Sequence, residues 1–366
     1  MGCECVEVEN FKVVKEIGKN KTDIYKSYLL RSSTSDNEYV YKSVNVIALK
    51  EKERDTLLNE IKVLKKINHQ NVIEIKNSQY SKDKKFLNII TEYAEDGTLQ
   101  EKYEEQKKKN QYFDETDLLD WFIQILLALQ YIHEKQILHR DIKPSNIFLM
   151  KDMAKLGNFG VSKALSPTIK SAKTMVTTPE YLAPEVKQNT NYTYEADIWA
   201  LGVTFYQLII LDYPFEGSSL LEIQANIAEG KKKPIPKDCK IDEKFIKIIN
   251  EMMSVDPKKR ISLQKIFEES IIKSRISCFL NQQKISQLEI AKTIKEYENE
   301  ERGNKKTVPV VQEEEEEKEK EKGIEKEETE EQKEKKEKER KEKKEKKAKY
   351  DLYRHMATLN RIVTIK

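Results

Sequence analysis

The chain has 366 residues, a formal net charge of +3 and 36% charged residues. That length suits one two-lobed core of roughly 250–280 residues plus an appendage, since single cores rarely grow further. The near balance of charge points away from nucleic acid, and no apolar run reaches the ~18 residues of a membrane span.

The opening MGCECV offers Gly2 for myristoylation and Cys3 for palmitoylation. Val6 stands where Ser or Thr is expected, however, and Glu4, Glu7 and Glu9 repel anionic lipid. A plain N-terminus is expected. Cys3, Cys5, Cys239 and Cys278 are scattered with no second pair for a zinc framework, which suits free thiols in a reducing, cytoplasmic setting.

Phe11 to Tyr93 alternates short apolar runs with one helical pattern. NFKVVKEIG, IYKSYLL, EYVYKSVNV, NVIEIKNSQY and KFLNIITEY are rich in Val, Ile and Tyr and read as strands. Between the third and fourth, EKERDTLLNEIKVLKKI places Leu57, Ile61, Leu64 and Ile67 at helical spacing. After Gly97 the character changes. ETDLLDWFIQILLALQYIHEKQ, YEADIWALGVTFYQLIILD, EKFIKIINEMMS and SLQKIFEESIIK all read as helices, and Asp256–Pro257 marks a break. The fold class is α+β: a small β-rich lobe joined by a short strap to a larger helical lobe.

HRDIKPSNIFL, His139 to Leu149, places an aspartate, a lysine and an asparagine on one loop between a helix and an apolar strand. Phosphoryl transfer needs a carboxylate to accept a hydroxyl proton, a cation on the moving phosphate and an amide oxygen for a metal. Asp141, Lys143 and Asn146 are of those three kinds. The bland alternative, polar residues capping a helix end, explains the loop without explaining the landmarks around it.

With those landmarks the sequence resembles the eukaryotic protein kinases from about Phe11 to Lys273. The resemblance implies a two-lobed kinase fold, ATP and magnesium as cofactors, and a protein as substrate. It makes Lys42 in YVYK the lysine that holds the α- and β-phosphates, and Glu60 in LLNEIKVL its helix partner. Gly18 is what survives of the phosphate-covering glycines. In TEYAEDGTL, Thr91 is the gatekeeper, and the backbone near Glu92 and Ala94 faces adenine. TPEYLAPE ends an activation segment, Asp197 and Trp199 match a buried helix motif, and Arg260 is placed to pair with Glu185. His139 is expected beneath Phe159, in an apolar stack with Leu64 and Ile75, while His69 and His133 are structural. Arg140 is placed to clamp a phosphate on Ser171 or Thr174, although unmodified surface residues are the default reading of those two.

Lys143 after Asp141, and Thr178 before APE, resemble serine/threonine rather than tyrosine kinases. KLGNFGVSKAL, KTMVTTPEYLAPE and YEADIWALGVTFYQLIILDYPFEG are most similar to the NIMA-related group.

Three departures from the family pattern surround the nucleotide. Asn158 stands where the resemblance expects a magnesium-binding aspartate, so a full negative charge becomes one neutral carbonyl oxygen. In the loop IGKNKTDIYK, Asp23 puts a carboxylate where backbone N–H groups approach phosphate, partly offset by Lys19 and Lys21. IYK matches the usual VYK only with a deletion. Val40 takes a position that is usually alanine over the adenine ring. Two readings stay open at this point: a serine/threonine kinase of low output with a weakened metal pair, Asn146 and Asn158, and a pseudokinase scaffold that binds partners without efficient transfer.

The domain boundaries expected are a kinase domain at 11–275, with its small lobe at 11–92, hinge at 92–97 and large lobe at 98–275. A linker follows at 276–303, with Leu288 to Tyr297 suited to a short self-associating coil. Residues 304–366 form a Glu/Lys-rich tail of low complexity. Glu314–Lys318, Glu316–Lys320, Glu334–Lys338, Glu337–Lys341 and Glu342–Lys346 lie at i,i+4 in the favourable order, each worth ~0.2–0.5 kcal/mol to a helix. No apolar stripe runs through them, so a solvated single helix competes with a disordered charged linker. Leu352, Met356, Leu359 and Val363 form a short terminal stripe, suited to a partner helix, to docking on the kinase domain or to a frayed end. Cytoskeletal binding by such a tail is compatible with either functional reading.

Overall fold

The computed structural model describes residues 11–19, 25–35, 37–151, 153–158, 179–187 and 192–282. The N-terminal segment with Cys3 and Cys5, the loop with Asp23, Phe159, Ser171, Thr174, Thr178, Leu288 to Tyr297 and the charged tail all lie outside these residues. The chain divides into two compact units, Met1–Ile272 and Lys273–Lys366, and both lobes fall in the first.

The small lobe is an antiparallel sheet of β1 (Phe11–Lys19), β2 (Tyr25–Ser32), β3 (Glu38–Asn45), β4 (Ile75–Tyr80) and β5 (Phe86–Glu92), in the order β1-β2-β3-β5-β4. Helix α1 (Glu51–Leu64) carries Leu57 and Ile61 to one face of this sheet. There they bury with Val44, Val46, Leu49, Leu87 and Ile89. Alternation along the strands sends Leu30, Tyr41 and Ile90 into a second cluster. The strand expected from Asn71 begins only at Ile75. The reason is tertiary: the Asn71 side chain donates to Gln124 Oε1 and to the Ala154 carbonyl, and the Ile73 N–H donates to the Leu156 carbonyl. The front of that run is tied to the large lobe and is unavailable to the sheet.

The large lobe contains α2 (Leu99–Lys109), α3 (Glu115–Glu134), the hairpin β6 (Ile147–Met150) and β7 (Met153–Leu156), and α4 (Pro184–Lys187). It continues through α5 (Tyr194–Ile210), α6 (Leu220–Glu229), α7 (Glu243–Met252) and α8 (Leu263–Glu268), and α9 (Ser270–Gln282) runs out of the unit. Phe122 of α3 packs edge-on against Phe205 of α5 and Phe245 of α7, with ring centroids 5.0 and 5.1 Å apart. The run SLQKIFEESIIK, expected as one helix, is two, because Glu269 takes extended backbone at φ −65°, ψ 136°.

Arg260 is buried and forms a bidentate pair with Glu185, Nη1 to Oε1 at 2.7 Å and Nη2 to Oε2 at 3.0 Å. Its guanidinium also lies 5.1 Å from the Trp199 ring centroid. The residue following TPEYLAP is thereby pinned to the floor of the lobe. No helix of the described residues is long and apolar enough to cross a membrane, and Cys239 and Cys278 are free thiols.

Candidate active site

The loop between α3 and β6 is held from below by one carboxylate. Asp197 sits near the start of α5 and is fully buried. Its Oδ2 accepts the His139 N–H at 2.9 Å, and its Oδ1 accepts the Arg140 N–H at 2.8 Å and the Tyr192 hydroxyl at 3.0 Å. His133 Nε2 meets Oδ2 at 2.9 Å. Burial works against the charge, but the His133 hydrogen bond leads the contacts that hold this carboxyl below the usual aspartate range. Arg140 pays for the tight turn with a left-handed backbone, φ 69°. Its Nε is buried without a hydrogen-bond partner among the described residues.

His139 is fully buried, and its two ring nitrogens are assigned by their partners. Nε2 donates to the Gly157 carbonyl at 2.9 Å, and Nδ1 accepts the Asp141 N–H at 3.3 Å. This is the neutral tautomer, and burial lowers the pKa in agreement. Gly157 must be glycine: a Cβ there would lie 2.7 Å from Ile73 Cγ1 and 2.8 Å from Phe148 Cε2. That close approach lets its N–H donate to the Asn146 carbonyl.

Asp141 faces the cleft with both oxygens engaged. Lys143 Nζ lies 3.1 Å from Oδ1, and Asn146 Nδ2 donates to Oδ2 at 2.7 Å and to the Asp141 carbonyl at 2.7 Å. The three residues expected to carry the chemistry therefore form one connected group. Asn158 follows β7 in a left-handed conformation, φ 58°, which asparagine tolerates better than most residues. Its Nδ2 donates to Asn146 Oδ1 at 2.9 Å. Among the described residues no three His, Cys, Asp or Glu side chains cluster as a metal site. Asn146 and Asn158 are oxygen donors of a kind magnesium accepts, but they are uncharged and one oxygen is already bonded to the other side chain. The donor set fits a weak site.

Lys42 projects from β3. The residue is half-buried, but its ammonium is surrounded by protein, and burial pushes its pKa down from 10.5 to about 8 against the pull of Asp141. Its described contact is the Tyr25 ring, whose centroid lies 4.1 Å from Nζ. Sequence reasoning passed over Tyr25. The Glu60 side chain lies outside the described residues, and the Lys42–Glu60 pair with it. Because the folded protein binds the Lys42 proton less tightly than the unfolded chain, stability should rise with pH between about 8 and 10.5. Compared with Lys42→Met, which cannot titrate, the wild type should gain roughly 1–3 kcal/mol across that window in urea unfolding. An unchanged difference would refute the desolvated ammonium.

At the strap, Thr91 pairs across the sheet with Val40, and the Thr91 hydroxyl donates to the Glu92 carbonyl. The Ala94 N–H, on a buried residue, makes no backbone hydrogen bond among the described residues. Glu92 Oε1 accepts from Lys155 Nζ of β7 and from the Glu74 N–H, both at 2.9 Å. Gly18 borders a bulge in β1, with nothing within 4 Å of where a Cβ would sit.

The family model for the protein kinase domain matches residues 11–272. The chain belongs to the protein kinase family. NEK serine/threonine kinases are among its relatives. The chain is 34% identical to serine/threonine-protein kinase Nek1 of Mus musculus over 79% of this chain and 24% of that one. It is 32% identical to Nek5 of Homo sapiens over 76% of this chain and 39% of that one. Against nekl-2 of Caenorhabditis elegans it is 30% identical over 72% and 75% of the two chains. The chain thus spans less than half the length of these mouse and human relatives. Protein kinases in general use ATP and magnesium and act on proteins.

Proposed function

We propose that this kinase transfers the γ-phosphate of ATP to serine or threonine hydroxyls of a protein, with low output. The observation that carries the reading is the Asp141 carboxylate, held between the Lys143 ammonium and the Asn146 amide. A substrate hydroxyl placed against Asp141 gives its proton to that carboxylate as its oxygen bonds to the γ-phosphorus. The bond from the γ-phosphorus to the β–γ bridging oxygen breaks, leaving its electron pair on ADP. Lys143 steadies the moving phosphate, and Lys42 takes the α- and β-phosphates. The Glu92 carbonyl and Ala94 N–H meet the adenine edge, beside Thr91, and Gly18 lets the backbone approach the phosphates. Magnesium bound by Asn146 and Asn158 would neutralise phosphate charge. The Asn146–Asn158 hydrogen bond competes with that role and supports low output.

That same bond favours the second reading, a pseudokinase scaffold, because it satisfies the pair without a cation. The Arg140 Nε, without a hydrogen-bond partner among the described residues, suits capture of a phosphate on Ser171 or Thr174. The residue ranges 11–275, 276–303 and 304–366 serve as domain, linker and tail in this proposal, with the tail given to partners or self-association.

Incubation of the full chain with γ-labelled ATP and a mixed protein substrate should give slow labelling of serine and threonine and none of tyrosine. Labelling at the blank level from both the wild type and Asn158→Asp would sink the enzyme and leave the scaffold.

A further inference from the structure

We propose that Tyr25 is a built-in occupant of the phosphate subsite, competing with a nucleotide's phosphates for the Lys42 ammonium. The placement follows from strand register. β2 pairs with β3 so that Ser27 lies opposite Lys42 and Tyr25 opposite Val44. Opposed residues in an antiparallel pair share a face, as do residues two apart, so Tyr25 and Lys42 are diagonal neighbours within reach of a long side chain. The ring uses that reach: its centroid lies 4.1 Å from Lys42 Nζ, inside the range of a cation–π contact. Tyr25 is also one of the partly buried side chains packed against the apolar cluster that contains Val44, Leu57 and Ile61, so the contact is preorganised.

Two charged groups of the site act on this side chain. Lys42 reaches it from the small lobe. From the large lobe the negative charge of Asp141 is felt at the phenol, where it adds to burial in raising the pKa. A polyphosphate that engages Lys42 has to compete with the ring for the same ammonium. A tyrosine that served only the apolar cluster would not need its face turned to the ammonium. Displacing a desolvated cation–π contact is worth about tenfold in an equilibrium. The inference rests on the reading of Lys42 as the phosphate-binding lysine, and it makes Tyr25 a residue that sets the affinity threshold for nucleotide.

Equilibrium binding of ATP, inorganic tripolyphosphate and adenosine to the full chain, without magnesium, tests it. Tyr25→Val should tighten ATP and tripolyphosphate about tenfold, and Tyr25→Phe, which keeps the ring, should leave both within about twofold of wild type. In a Lys42→Met background Tyr25→Val should bring no gain. A melting curve checks that each variant is folded, and Tyr25→Ile replaces Tyr25→Val if that variant is not. The proposal is overturned by a folded variant whose tripolyphosphate affinity does not rise, by a gain confined to adenosine, or by a gain that survives Lys42→Met. Because binding is read apart from phosphate transfer, tightened binding without any transfer would remove the enzymatic reading and keep this one. Normal transfer with unchanged binding would do the reverse.

Discussion

Asn158→Asp is expected to raise phosphate transfer at least tenfold and to lower the melting temperature of the metal-free protein. In the wild type, Asn158 Nδ2 donates a hydrogen bond to Asn146 Oδ1 at 2.9 Å. An aspartate puts an oxygen in place of that donor, so two acceptors face each other and a bond is lost, worth about 1–3 kcal/mol where the group is left unsatisfied. Magnesium with ATP should then stabilise the variant strongly and the wild type little. The gain in rate follows from one restored negative charge at the metal, since each ~1.4 kcal/mol in the transition state is tenfold. Backbone strain does not confound the comparison, because aspartate shares asparagine's tolerance of the left-handed region that residue 158 occupies. Asp141→Asn in the Asn158→Asp background should cut transfer by about 10²–10⁴, the ordinary worth of a positioned base. Magnesium-dependent stabilisation without a faster reaction would move the block to the phosphate loop that contains Asp23.

The second large effect is expected at Asp197. Replacing this carboxylate by Ala strands the His139 N–H, the Arg140 N–H, the Tyr192 hydroxyl and His133 Nε2 together in the interior. Removing one side of a buried charged network costs about 3–5 kcal/mol. Urea unfolding should report that loss, and transfer should vanish even where folded protein remains. The reason is positional: two of the four contacts anchor the backbone next to Asp141. A loss below about 1 kcal/mol would show that α5 and the loop are held by packing alone.

Much of this site was legible in the sequence because its parts are short-range. Asp141, Lys143 and Asn146 share one loop, and Lys42 stands in an alternating strand whose partner helix has a clean apolar period. Helix α2 escaped because LQEKYEEQKKK has no apolar stripe. Its signal was the capping box, in which the Glu101 N–H donates to Thr98 Oγ1 and the Thr98 N–H to Glu101 Oε2. Tyr25 escaped for a different reason. Its meaning depends on the β2–β3 register, and a one-residue slip would have turned it to the opposite face. The Asn158–Asn146 bond joins side chains from a strand end and a loop, and nothing local in either segment announces it.

The Lys155–Glu92 bridge also joins distant segments, and it has a mechanical meaning. Glu92 closes β5, the last strand of the small lobe. Lys155 is buried in the strand that leads directly into Asn158. A rotation of the small lobe about its strap must therefore drag that strand along or pull apart a shielded ion pair. The pair therefore couples the last strand of the small lobe to the segment that sets the backbone of residue 158, across a gap of 63 residues in sequence.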